Sequence, residues 1–219
     1  MTVSHDNLRG IAIFLAGTSQ VGKTDYYREY LEAVTIGPRV HRVIKEGMAA
    51  RDIREQIGNP TWSDLCENRD LMLEQQNLIM DTYERRCIAM TARFQDEPDF
   101  CVGLFERSLY DNVGYTYAFL KKIGFTYESE KCVQNFTKRA NDVLATMERN
   151  GIAVINLYEP IRHEIPYDTQ QGARPPVDIR MLCEQYLEGI DAPMFARQGF
   201  NLNRWYSNRT RMHRTRFSG

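Results

Sequence analysis

The chain has 219 residues, 42% of them hydrophobic and 26% charged, with a formal net charge of −1. That length and apolar content suit one α/β domain with a sizeable core, and the near-neutral charge excludes a global field that draws in nucleic acid or membrane. Five scattered cysteines, odd in number and without a CxxC pair, argue against a disulfide framework and a zinc site. Reduced thiols are expected, and with a polar first stretch and no apolar run of membrane length, a soluble cytoplasmic protein.

In chain order, residues 11–16 form an uninterrupted apolar run of strand length. Gly17, Thr18, Ser19, Gln20, Val21, Gly22, Lys23 and Thr24 follow at once and spell GxxxxGK[ST]. Helical spacing of Tyr27, Tyr30, Leu31 and Val34 predicts a helix after the loop. A second strand is predicted over 40–44, ending at Lys45 and Glu46, then a helix through Met48 and Ile53 until Gly58, Asn59 and Pro60 break it. Ser63 is positioned to cap a long helix with the stripe Met72, Ile79, Tyr83, Cys87, Met90 and Phe94. Residues 101–105 read as a buried strand, Leu109, Val113, Tyr117 and Leu120 as a helix. After Gly124 comes a further helix with Cys132, Phe136, Ala140, Val143 and Met147. The last strand is predicted over 152–158, and a closing helix carries Ile179, Leu182, Tyr186 and Leu187. Between these two, residues 159–176 hold four prolines and several charges and are read as a lid loop. Strands alternating with helices predict a mostly parallel sheet covered on both faces, in a single domain over residues 1–219.

A strand that turns into a helix through a glycine loop aims backbone N–H groups and the positive end of the helix dipole at one point, where a phosphate chain can sit. Lys23 is then placed for the β/γ-phosphates and the Thr24 hydroxyl for Mg²⁺, so ATP, or GTP in its place, and Mg²⁺ are the expected ligands. Glu106 directly follows the strand 101–105, at the carboxyl edge where a parallel sheet presents catalytic groups, and can hold the metal through water, and Arg107 next to it is a candidate catalytic cation that stabilises charge in the transfer. Glu46 ends the preceding strand and is a candidate base for an attacking hydroxyl. Arg162 and Arg174 flank the lid and are suited to clamping phosphates. Gln76 is a polar residue on an apolar helix face, and a planar base would satisfy its amide; Gln75 is the alternative for that role.

The P-loop together with Phe105, Glu106, Arg107, Ser108 and Asp111, then Tyr158, Glu159, Pro160, then Gly172, Ala173, Arg174, resembles the nucleoside and nucleotide kinase-like P-loop proteins. The branch it resembles includes the ribosylnicotinamide kinase domain and phage-encoded ATPase/kinase proteins. The resemblance covers nearly the whole chain and implies a three-layer P-loop NTPase fold and ATP-dependent phosphoryl transfer to a nucleoside- or nucleotide-like acceptor. It also implies that Glu106 belongs to the Glu-Arg-Ser of deoxynucleoside kinases, that Glu46 is the base, that Gln75 or Gln76 reads the acceptor's base, and that Asp111 belongs with the acceptor-binding residues. The chain departs from that pattern in lacking a compact arginine cluster in the lid and in its tail.

The tail, residues 203–219, carries Arg204, Arg209, Arg211, Arg214 and Arg216 among Trp205, Tyr206 and Phe217, without an acid. Cations interleaved with rings suit single-stranded nucleic acid, so a hydroxymethylated pyrimidine in phage DNA is an alternative acceptor. A regulatory switch NTPase that acts through a partner is the alternative of a different class. No membrane partner is expected.

Overall fold

The computed structural model describes residues 8–17, 33–36, 39–47, 50–97, 99–158 and 175–189. Its elements are β1 (Gly10–Ala16), β2 (Ala33–Ile36), β3 (Arg39–Glu46), α1 (Ala50–Gln56), α2 (Trp62–Glu67), α3 (Arg69–Asp96), β4 (Cys101–Phe105), α4 (Leu109–Ile123), α5 (Tyr127–Arg149), β5 (Ile152–Tyr158) and α6 (Val177–Gly189). The five strands form one sheet in the order β2-β3-β4-β1-β5. β1, β3, β4 and β5 run parallel, and β2 joins the edge antiparallel to β3.

Strands buried on both faces read as continuous apolar runs because neither face can afford polarity. β4 is such a strand, buried at every position, and β1 lies between it and β5. Ala12 and Phe14 face the helical layer, where Phe14 stacks on Phe105 with ring centroids 4.3 Å apart. Leu15, Val43, Val102, Leu104 and Leu157 form a separate cluster on the opposite face, also buried. A parallel sheet with both faces covered is the arrangement of a three-layer α/β fold.

The helices carry the core stripe expected of them, with three corrections. Val34 belongs to β2 and not to a helix: the segment Ala33–Ile36 pairs with Arg39 to Arg42 in an antiparallel register. Ser63 caps nothing, because the long helix is divided. Thr61 caps α2 through a capping box, accepting from the Asp64 N–H while Asp64 accepts from the Thr61 N–H. Asn68, extended at φ −114°, ends α2 and starts α3, its side chain accepting from the Leu71 N–H. In α5 the buried stripe is Val133, Phe136, Ala140, Leu144 and Met147, one position away from Cys132 and Val143, both of them half-buried at its border.

α4 is buried on nearly all sides because α3, α5 and α6 surround it. Its first turn is therefore held rigidly over the carboxyl end of the sheet. At the opposite edge the backbone is tied by Cys101 N–H to Arg9 C=O, Arg9 N–H to Gly151 C=O, and the Gln95 amide to Asn150 at 2.7 Å.

Candidate functional site

In an open parallel sheet the ligand crevice lies beyond the carboxyl ends of two neighbouring strands whose connections leave in opposite directions. Here the chain leaves β1 toward β3 and leaves β4 toward β5, so the switch point falls between β1 and β4. Gly17 stands at that point, directly after β1. Its φ of +128° lies in the region that side chains disfavour, so the first glycine of GxxxxGK[ST] is required by the backbone itself.

Two side chains hold Gly17. Its N–H donates to Asp111 Oδ1 at 2.7 Å, and its carbonyl accepts from Arg107 Nη1 at 3.2 Å. Arg107 also pairs with Asp111 Oδ2 at 3.4 Å, one helical turn apart. Asp111 is only 3% exposed. Burial by itself would lower the Arg107 pKa, but Asp111, with Tyr115, Tyr83 and Glu106 nearby, holds the guanidinium above its usual value. Arg107 is thus a fixed cation beneath the first loop residue.

The two acids expected at this edge arrive together. Glu106 N–H donates to the Glu46 carbonyl at 3.0 Å, which places the ends of β3 and β4 side by side. Glu106 is buried and Glu46 half-buried. Glu46 shares the helix-facing side of β3 with Ile44 and lies near Cys87, whose thiol is pushed up by burial and by the charges of Glu46 and Glu84. Arg86 Nη1 donates to the Gly47 carbonyl at 2.5 Å and ties α3 to the same strand end.

Ser108 performs a structural task. It caps α4 by accepting from the Tyr110 N–H, and its Oγ donates to Asn156 Oδ1 at 2.7 Å, with both residues fully buried. The Asn156 amide nitrogen has no partner among the described residues. On the other flank of α4, the Asn112 amide donates to the Gln76 carbonyl of α3 at 3.0 Å. The oxygens of Asn112 and Gln75 are buried and lack partners among the described residues, and Gln76, next to Gln75 in sequence, is also buried. At the end of β5, Tyr158 donates to Glu184 of α6 in a short hydrogen bond, and burial followed by that contact pushes the Tyr158 pKa well up.

The structure therefore brings Gly17, Glu46, Glu106, Arg107 and Asp111 to one edge, with Gln75 and Gln76 on the helix above it. Thr18 to Thr24, Arg162, Arg174 and the basic tail lie outside the described residues. Sequence reasoning missed Arg86, Asn112 and Asn156. Only Asn156 left a signal, as the one amide in the apolar run of β5. Among the described residues no group of three His, Cys, Asp or Glu could hold a metal ion, and no helix is long and apolar enough to cross a membrane. Compared with known proteins, the chain matches no family model and no curated sequence.

Proposed function

We propose that the chain is an ATP- and Mg²⁺-dependent kinase that transfers the γ-phosphate to a hydroxyl of a nucleoside- or nucleotide-like acceptor. The observation that carries this reading is the position of Gly17. The first residue of GxxxxGK[ST] stands at the carboxyl end of a central strand, at the switch point, in a conformation that glycine takes readily. Glu46 and Glu106 end the two neighbouring strands on the β4 side.

On this reading the loop amides and Lys23 hold the donor phosphates, and Thr24 and Glu106 hold the metal directly or through water. Mg²⁺, when bound, offsets the charge on the phosphoryl oxygens. A metal that keeps several waters and binds mainly through substrate phosphates needs few protein oxygens, so Glu106, buried directly after β4, would be enough as its acid. Glu46 accepts the acceptor's hydroxyl proton as the acceptor oxygen bonds to the γ-phosphorus and the bond to the bridging oxygen breaks, releasing ADP. Arg162 and Arg174 supply cations to the transferred group. Gln75 and Asn112 support the acceptor class, because a planar base with amino groups offers donors to two buried oxygens that lack them.

Labelled γ-phosphate is offered to the full chain with a panel of nucleosides, nucleotides, ribosylnicotinamide and hydroxymethylated DNA, and released ADP is counted. The expected result is label on one acceptor, with ADP release dependent on it. ADP release indifferent to every acceptor would overturn the kinase in favour of a slow NTPase switch.

A further inference from the structure

We infer that Arg107 and Asp111 are a positioning pair that acts on the bound nucleotide through the backbone of Gly17 instead of touching a phosphate or the acceptor. The inference rests on the reading of residues 17–24 as a phosphate-binding loop.

The two contacts fall on the two peptide units that flank one Cα. Asp111 Oδ1 holds the Gly17 N–H, which belongs to the preceding peptide, and Arg107 Nη1 holds the Gly17 C=O, which belongs to the following one. Fixing both planes fixes both dihedrals of a residue that would otherwise roam more of φ/ψ space than any other. In a planar trans peptide the N–H points opposite to the C=O, so a carbonyl held toward Arg107 aims the single N–H of that peptide away from Arg107.

The charges explain why two residues are needed. A carboxylate is the strongest acceptor for a backbone N–H, but a buried carboxylate beside a loop that takes a polyphosphate repels its ligand. Arg107 cancels that charge at 3.4 Å and takes the Gly17 carbonyl in addition. The side chain of Arg107 is only 16% exposed and that of Asp111 only 4%, so both are committed to the interior contact. Deleting Arg107 alone takes a compensating cation away from a buried carboxylate, which is more damaging than removal of both charges.

The test is a comparison of Arg107→Ala, Arg107→Lys, Asp111→Ala, Asp111→Asn and the double variant Arg107→Ala/Asp111→Asn in the full chain. ATP·Mg²⁺ affinity is read by calorimetry, and the exchange rate of the Gly17 amide by NMR. Arg107→Ala should weaken ATP by about tenfold or more, as breaking one side of a buried pair does, and the double variant should recover at least about threefold of that loss. Arg107→Lys should lie between Arg107→Ala and the unaltered chain. A double variant no better than Arg107→Ala would overturn the inference, since a cation that contacts phosphate is not replaced by removing an acid. The amide provides a readout without nucleotide: Asp111→Asn keeps an oxygen acceptor and should leave Gly17 protected, while Asp111→Ala should speed its exchange at least about tenfold. If the unaltered chain binds no ATP, the loop reading fails, and equal Gly17 exchange in the unaltered chain, Asp111→Asn and Asp111→Ala would separately overturn the positioning pair.

Discussion

Replacement of Ser108 by Ala removes one hydroxyl with two tasks, and the cost of each can be worked out. As the N-cap of α4, Ser108 accepts from the Tyr110 N–H at 3.2 Å, and loss of such a cap costs about 1 kcal/mol. As the donor to Asn156 Oδ1 at 2.7 Å, it satisfies an oxygen in a residue with no solvent exposure, and an orphaned buried acceptor costs about 1–3 kcal/mol. Ser108→Ala should therefore lose about 2–4 kcal/mol, measured by urea titration with linear extrapolation. At about 2–4 °C per kcal/mol for a chain of this size, the melting temperature should fall by about 4–16 °C. Removing the other partner as well relieves the orphaned group, so Ser108→Ala/Asn156→Val should be more stable than Ser108→Ala alone. A single variant within about 0.5 kcal/mol of the unaltered chain, the range of an inert surface change, would refute the assignment, and so would a double variant less stable than the single.

Three further outcomes are expected. Glu46→Gln should depress phosphoryl transfer with little change in ATP affinity, whereas Glu106→Gln should raise the Mg²⁺ concentration needed for half-maximal rate, and identical kinetics for the two would show that the roles are misassigned. Burial lifts the Tyr110 phenol from its ordinary value near 10 to about 12, and a raised folded-state pKa stabilises fully below the unfolded pKa and is lost as pH climbs through the folded one. Stability followed by urea titration should thus decline between about pH 10 and 12, with delayed tyrosinate absorbance, and ordinary titration of every tyrosine near pH 10 would contradict it. A Cβ at Gly114 meets Cys183 Sγ at 2.8 Å and the Cys183 carbonyl at 3.5 Å, so in Gly114→Ala the helix-propensity gain of about 1 kcal/mol should be cancelled or outweighed by overpacking of about 1–3 kcal/mol. Adding Cys183→Ala should show favourable coupling between the two sites in a double-mutant cycle, and additivity would mean that α4 and α6 adjust without strain.

Elements whose pattern reflects burial were the legible ones. β1 and β4 are interior, β5 is the edge strand beside β1, and the apolar runs of all three fix their positions to within a residue or two. The division between α2 and α3 was not legible, because the apolar spacing continues across Asn68 while the backbone there turns extended. β2 was missed because Val34 alone cannot show which period it belongs to, and its partner is supplied by β3. The phase error in α5 is of the same kind: Cys132 and Val143 border the stripe, and only packing decides that Val133 and Leu144 are innermost. In the site, Glu46 and Glu106 could be read from strand ends, since parallel strands bring their carboxyl termini to a common edge. The contact of Asp111 with Gly17 spans 94 positions and exists only because β1 and β4 are neighbours. No local pattern marks Arg86, whose partner is a backbone carbonyl 39 residues away.

The length of α3 has a consequence for substrate size. Its 28 residues extend about 42 Å, whereas the five residues of β4 cover about 17 Å, so the helix outruns the strand it leads into. Arg86 meets Gly47 at the level of the strand ends, and Gln76 lies ten positions earlier, about 15 Å further out along the axis. The helix is in effect a graduated ruler standing at the edge of the sheet. On the proposed reading, an acceptor that engages Gln76 and offers a hydroxyl to Glu46 lies along this stretch of the helix.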